Sequence, residues 1–334
     1  MTSLAFRLLV SLLAALPDWL AEALATMTAN MSARLPSRRL RLMRVNVDRV
    51  LELPAHTSFA KTFYRQVFRS QFLSLVDTCR EVIRPGSVTI EDLQSWQDLV
   101  RRMESSGRPV IFAAAHIGSW EITGSVIART CEKPVYALAK LPKITGAAAA
   151  LELIRARMGL SVLWSHKKSI VRDMMGTLRK GEHLAMVIDQ KPEGRVGDTV
   201  QFMGLPVAFV GGPAAMSLRC GAPIISVATV RTGRRRYRVI GGLVHDPSNV
   251  ATKESPKTGP EISQLCAREI ETWIRLYPEQ WTWEYKRWVF SFKPDENDQT
   301  ATEHATSATR DSAKAQSRAA QPAPGHTRHP GRHS

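Results

Sequence analysis

The sequence predicts an α/β protein with a mixed, largely parallel central sheet flanked by helices, an N-terminal membrane-associated helix and a disordered C-terminal tail. Through the middle of the chain, short apolar runs alternate with segments of helical periodicity, as in β-α-β units. The chain opens on an apolar stretch with a basic residue ahead of it. Beyond Lys293, Thr, Ala, Ser, His, Gly and Pro dominate and aromatic residues vanish, so little apolar surface is left to offset the entropy of ordering. At 334 residues, 44% hydrophobic and 23% charged, the remainder has the length and composition of a folded protein with a sizeable core.

The opening segment, Leu4 to Leu20, has Arg7 before its apolar core and Pro17-Asp18 at its end. Its uninterrupted run is shorter than the roughly 20 residues of a spanning helix, and no clear signal-peptide cleavage site marks its end. An interfacial amphipathic anchor is the expectation, with a span open only if Trp19 and Leu20 extend the run. Next, Arg34, Arg38, Arg39, Arg41, Arg44 and Arg49 interleave with Leu35, Leu40, Leu42, Met43, Val45 and Val47. The pattern fits a helix resting on anionic headgroups, or else the solvated basic face of a domain helix.

Phe63, Val67, Phe68, Phe72, Leu75 and Val76 predict a core-packed helix over Phe59–Val82. A second helix is expected over Ile90–Met103, with Thr89 as its N-cap. Strands are expected at Val110–Ala115, Pro134–Ala139, Ser161–Leu163, Leu184–Ile188, Ile224–Val230 and Tyr237–Ile240. Length alone does not separate the first from a buried helical segment, although Pro109 stands before it. Helices are expected at Glu121–Arg129, Gly146–Met158 and Lys168–Lys180, and Gly211-Gly212-Pro213 opens a short one through Leu218. The resulting division is an anchoring segment over 1–50, a catalytic domain over 51–293 and a tail over 294–334.

The formal net charge of +16 draws the chain toward polyanions, whether nucleic acid or an anionic membrane face. No helix-turn-helix, zinc finger or RNP-type motif accompanies the charge, which favours the membrane. Cys79, Cys131, Cys220 and Cys266 lie far apart without metal-ligand spacing, so no zinc site or disulfide framework is expected and all four are read as packing residues. The terminal histidines are not read as a functional metal site.

His116 ends the apolar run, and Glu121 follows five residues later. In one continuous helix, side chains five apart point about 140° away from each other. A turn at Gly118 with a helix starting near Trp120 lets the two converge at a strand end. A carboxylate on one ring nitrogen then leaves the other free as a base for a hydroxyl. The competing reading is a strand-terminal histidine and an acid in a first helical turn, where the helix dipole favours it.

His116-Ile117-Gly118-Ser119-Trp120-Glu121 resembles the histidine-x4-acid hallmark of the bacterial lipid A biosynthesis (lauroyl/myristoyl) acyltransferase family, within the wider lysophospholipid and glycerol-phosphate acyltransferases. Ser119 stands where Asn is usual. Leu153-Ile154-Arg155-Ala156-Arg157-Met158-Gly159 is similar to the family's arginine-rich helix, and Val187-Ile188-Asp189-Gln190 to its strand ending in Asp-Gln. Phe202-Met203-Gly204-Leu205-Pro206, Gly211-Gly212-Pro213-Ala214 and, over Tyr277–Trp288, a segment similar to the closing Pro-Glu-Gln-Trp box follow in the family's order. The resemblance runs from about Leu4 to Phe292.

It implies transfer of a fatty acyl chain from a thioester, on acyl carrier protein or coenzyme A, to a hydroxyl of a lipid acceptor such as a lipid A precursor. The implied location is the cytoplasmic face of a bacterial inner membrane. His116 is then the general base and Glu121 the residue that orients it. Arg155 becomes a candidate for holding a phosphate or the oxyanion. Asp189, Gly118, Phe202, Gly204, Gly211 and Gly212 are further candidates around the substrate, the glycine loops as oxyanion donors. Trp281, Trp283 and Trp288 are read as core or interface belt. The thioester is already activated, so no cofactor or metal is implied. Arg231, Arg234, Arg235, Arg236 and Arg238 form a basic hairpin that would dock an acidic carrier or a membrane. Two further readings stay open: an acyltransferase for another acceptor (phospholipid, phosphoinositide mannoside or aminolipid), and a non-catalytic basic protein binding membrane or nucleic acid.

Overall fold

In the computed structural model, which describes residues 2–53, 57–142, 147–192, 197–248 and 258–288, the chain opens with α1 (Thr2–Ala15), α2 (Asp18–Arg34), α3 (Arg38–Leu51) and α4 (Ser58–Ile83). Then follow β1 (Thr89–Glu91), α5 (Leu93–Glu104), β2 (Ile111–Gly118), α6 (Trp120–Thr130), β3 (Val135–Ala139), α7 (Ala147–Arg157), β4 (Leu160–Trp164), α8 (Ile170–Arg179) and β5 (His183–Val187). A hairpin of β6 (Asp198–Phe202) and β7 (Leu205–Phe209) precedes α9 (Gly212–Cys220), β8 (Ile224–Gly233), β9 (Arg236–His245), α10 (Gly259–Leu276) and a 3₁₀ turn at Pro278–Gln280. Gly146 and the expected tail over 294–334 lie outside the described residues.

Seven strands form one sheet in the order β1-β9-β8-β2-β5-β3-β4. Every pairing is parallel except β8 with β9. The mixed, largely parallel sheet expected from the alternation is therefore present. Strand β2 is central, with Ile111–Ala114 paired to Leu184–Val187 on one side and Ile224–Val227 on the other. Both its faces are covered: Ile111, Ala113, Ala115 and Ile117 join one buried cluster, Val110 and Phe112 another. This explains why it reads as an unbroken apolar run rather than an alternating one. From β2 the chain crosses to β3 and β4 and returns as β5 beside β2, then reaches β8 on β2's other flank. The carboxyl ends of β2 and β5 thus meet at a change of winding direction, where α/β sheets leave a crevice.

The expected helix over Ile90–Met103 is corrected. Thr89–Glu91 pairs with Arg236–Arg238 as an edge strand, and the helix begins only at Leu93 after Asp92, which has φ +60°. The β-branched pair Thr89-Ile90 is better satisfied beside a strand than in a first helical turn, so Thr89 caps nothing. The β6–β7 hairpin and α10 have no counterpart in the sequence analysis.

Helix α2 turns Ala21, Ala25, Ala29 and Ala33 inward. A stripe of methyl groups at four-residue spacing permits close approach to α4, against which it packs. Helix α1 buries Val10 beside Cys79, Val82 and Met158, while Leu8, Leu9 and Leu12 are exposed. No single described helix is long and apolar enough to cross a membrane; Phe6–Ala15 and Asp18–Arg34 pass such a test only together, bent by 114°.

Gly118 closes β2. Its φ is +58°, and a Cβ there would stand 1.9 Å from the Thr229 carbonyl oxygen, so the backbone contact between β2 and β8 admits only glycine. Gly118→Ala should destabilise the protein by about 3 kcal/mol or more, combining left-handed strain with a backbone collision. Urea denaturation checks this; an unchanged midpoint would contradict the geometry.

Candidate active site

The turn at Gly118 hands the chain directly to α6. Ser119 is the N-cap, its Oγ accepting from the Ile122 amide at 3.3 Å and lying 2.9 Å from Thr78 Oγ1. The strand–turn–helix expected around Gly118 is thus present, with His116 at the strand end and Glu121 in the first helical turn.

The partners of these two side chains differ from expectation. His116 Nδ1 lies 2.7 Å from Asp189 Oδ1, and the His116 amide donates to Asp189 Oδ2 at 2.9 Å. Trp281 Nε1 donates to the same Oδ2 at 2.8 Å. Glu121 instead takes Arg155 bidentately, with Nη2 to Oε1 at 2.8 Å and Nε to Oε2 at 3.2 Å. The physical reason is placement. Asp189 follows β5, the parallel neighbour of β2, and faces the ring, whereas Glu121 sits beyond the turn, where Arg155 on α7 reaches it. The ring is held by Asp189, not Glu121.

Asp189 is 2% exposed. Burial alone would raise its pKa, but the His116 charge and the bonds from His116 and Trp281 outweigh that, holding the carboxyl below its usual range. An ionised Asp189 can only accept, so Nδ1 carries the proton. The other ring nitrogen, Nε2, is then a bare acceptor, and the Gln190 amide lies 3.2 Å from it. The ring stands edge-on between Trp120 and Tyr285, centroids at 5.1 and 4.9 Å. Burial and the nearby Asp189 push the Tyr285 phenol up to about 12, leaving it a neutral wall.

Trp281 is drawn in by backbone pairing. Ile117 and Trp281 form an antiparallel bridge, and the Thr282 amide donates to the His116 carbonyl at 3.0 Å. Helix α3 clamps the same segment. Asn46 Nδ2 donates to the carbonyls of Trp283 and Tyr285 at 2.7 Å each, and Arg49 to that of Trp288 at 3.1 Å. Arg39 reaches the buried Glu284 at 2.9 Å.

A cavity of about 390 Å³ opens beside the ring. Gly118, Trp120, Glu121 and Tyr285 line one part, and Phe68, Phe72 and Leu75 of α4 supply an apolar wall. Trp120 and Tyr285, the two rings that flank His116, thus stand on the cavity wall.

Of the residues singled out from sequence, His116, Gly118, Glu121, Arg155 and Asp189 come together here. Four others do not. Phe202 is fully buried against Phe209 and Trp288 and under the Arg287 guanidinium, 5.1 Å from its ring centroid. Gly204, φ +78°, is in the tight turn between β6 and β7. Gly211 is the residue before α9, against the Asp198 carboxylate, and Gly212 starts the helix. These glycines serve tight turning and close packing, and none of the four lines the cavity. In the basic hairpin, Arg231 pairs with Asp77, Arg235 with Asp18, Arg236 with Glu91, and Arg238 with Glu91 and Asp92. Arg234 has no such pair among the described residues, and Arg235, Arg236 and Arg238 keep 40%, 62% and 44% of their side chains exposed. Sequence reasoning missed Trp281, Gln190 and Tyr285; the Asp-Gln and Pro-Glu-Gln-Trp motifs were the signal that pointed at the first two.

Glu104, Cys131 and His183 bring donor atoms within 4.8 Å of one another. His183 Nδ1 already accepts from the Val110 amide at 2.9 Å and Nε2 meets Glu104 at 2.7 Å. Burial pushes the Cys131 thiol up, so it stays protonated. This set bolts β5 to the start of β2 and is chemically committed against a cation.

The family model described as bacterial lipid A biosynthesis acyltransferase matches residues 2–289. The chain belongs to that family, and the family makes it an acyltransferase with an acyl donor and a lipid acceptor. No curated protein matches the chain.

The depressed pKa of Asp189 sets a pH signature. Its stabilising share is fully present above the unfolded carboxylate value near about 4 and is lost as pH falls through the lower folded value. The stability gap between the wild type and Asp189→Asn should therefore be larger at pH 7 than in strongly acidic buffer, as read by urea denaturation. A gap of equal size at both would contradict an ionised, bonded Asp189.

Proposed function

We infer that this member of the bacterial lipid A biosynthesis acyltransferase family moves a fatty acyl chain from a thioester to a hydroxyl of a lipid A precursor, with His116 as general base. The observation that carries this reading is the 2.7 Å contact of His116 Nδ1 with buried Asp189, which assigns the proton to Nδ1 and leaves Nε2, beside the Gln190 amide, as the base. An acceptor hydroxyl would displace the Gln190 amide from Nε2 and give up its proton there. Its oxygen would attack the thioester carbonyl, the C–S bond would break, and the thiol would leave with the proton returned from His116. Ester and free thiol are the products, and all atoms balance without a covalent enzyme intermediate.

Asp189 plays the part of the acid in hydrolase triads, fixing the tautomer and stabilising the imidazolium. Glu121 acts one step away, through Arg155. It occupies Nε and Nη2 of the guanidinium and leaves Nη1 buried without a partner. That unspent donor supports a role for Arg155 at the oxyanion or a substrate phosphate. Acyl carrier protein or coenzyme A would bring the acyl group, and the exposed arginines of the β8–β9 hairpin suit either anionic donor. The cytoplasmic face of the inner membrane is the proposed setting. Support comes from Leu8, Leu9, Leu12 and Trp19, which expose their side chains on α1 and α2 while the inner face of α1 is packed, as expected of a helix lying in the interface.

His116→Ala should lower turnover by about 10²–10⁴ with an unchanged circular dichroism spectrum, measured as acyl transfer from a thioester donor to a lipid A precursor in mixed micelles. Activity at the wild-type level in that variant would end the assignment. Activity only toward a glycerophospholipid or aminolipid acceptor would keep the mechanism and replace the acceptor.

A further inference from the structure

A second cavity, of about 410 Å³, lies between α1, the C-terminal end of α4 and α7. Phe6, Val10, Val82, Leu153 and Ile154 make it apolar, and Arg7 and Arg157 stand at its rim. No Asp or Glu is among its lining residues. Both arginines are exposed, and neither has an ion pair or hydrogen bond among the described residues. Helix α7 faces two ways here, sending Arg155 to Glu121 at the active site and Ile154 and Arg157 to this second cavity. Beside it, α1 exposes Leu8, Leu9 and Leu12.

The chemistry asks for an occupant that is apolar and anionic together. A free phosphate would satisfy the guanidinium donors and leave the slot empty; an uncharged lipid would fill the slot and leave the charges unmet. An acidic phospholipid does both. We propose that this cavity binds one acidic glycerophospholipid of the surrounding bilayer, its phosphate between Arg7 and Arg157 and one acyl chain along Phe6, Val10 and Leu153. The proposal rests on the reading that the protein works on a lipid surface. It assigns a site separate from the catalytic cavity, and its occupant bridges α1 to the helix that carries Arg155.

Native mass spectrometry of the full chain in neutral detergent, titrated with phosphatidylglycerol, tests the proposal. The wild type should retain one phosphatidylglycerol more strongly than phosphatidylcholine. Arg7→Gln/Arg157→Gln should weaken retention by about tenfold or more, and Leu153→Trp, which fills the slot, should weaken it too. Arg102→Gln/Arg172→Gln removes equal charge elsewhere and should leave retention intact. Wild-type retention in Arg7→Gln/Arg157→Gln would overturn the site, as would an equal loss in the control pair, which would mean general surface attraction. Displacement by inorganic phosphate alone, or by the lipid acceptor at stoichiometric amounts, would overturn it in favour of a free-anion or acceptor site. His116→Ala should retain phosphatidylglycerol normally. Retention is thus read apart from turnover, and failure of the catalytic reading leaves this result standing or falling by itself.

Discussion

The structure turns on one buried carboxylate. Asp189 accepts from the backbone and the ring of His116 and from the Trp281 indole, and at 2% exposure it is shielded from bulk solvent. Such a group is tolerated in a core only when donors saturate it. Those donors come from two distant parts of the chain: the end of β2 and the segment after the 3₁₀ turn. The carboxylate therefore ties together the central strand, its parallel neighbour and the C-terminal part of the described fold, and the tie ends on the imidazole whose Nε2 meets Gln190. Local electrostatics and global topology are the same constraint here.

Around that tie, the N-terminal helices act as part of the site rather than as a detachable anchor. Helix α2 packs on α4 through its alanine stripe, and α3 grips the backbone of Trp283 and Tyr285 through Asn46. The ion pairs from Arg231 to Asp77 and from Arg235 to Asp18 fasten the β8–β9 end of the sheet to α4 and α2. The slot beside His116 is walled by α4 on one side and by the Trp120–Glu121 turn on the other.

Much of this was legible in the residues themselves. The sheet followed from alternation, and the turn from Gly118, where a Cβ would collide with the Thr229 carbonyl. What was misread has a common cause: sequence proximity stood in for spatial proximity. Glu121 lies five residues from His116 and was taken as its partner, yet a parallel sheet brings residues far apart in sequence side by side, and Asp189 arrived through β5. The same effect hid Trp281, whose indole looks like core packing until the bridge to Ile117 is known. Arg231, Arg235, Arg236 and Arg238 of the β8–β9 hairpin read as unpaired because their acidic partners, Asp18, Asp77, Glu91 and Asp92, lie remote in sequence. Thr89–Glu91 looked like the start of a helix because only the tertiary pairing with Arg236–Arg238 reveals a strand.

The central claim is a tautomer: His116 protonated at Nδ1 toward Asp189 and bare at Nε2. Nitrogen-15 NMR of histidine-labelled protein at neutral pH, with the His116 signals identified by their loss in His116→Gln, measures it directly. The account predicts a protonated Nδ1 and an unprotonated Nε2, with the pattern altered in Asp189→Asn. A ring protonated at Nε2 instead, or one indifferent to Asp189→Asn, would contradict it.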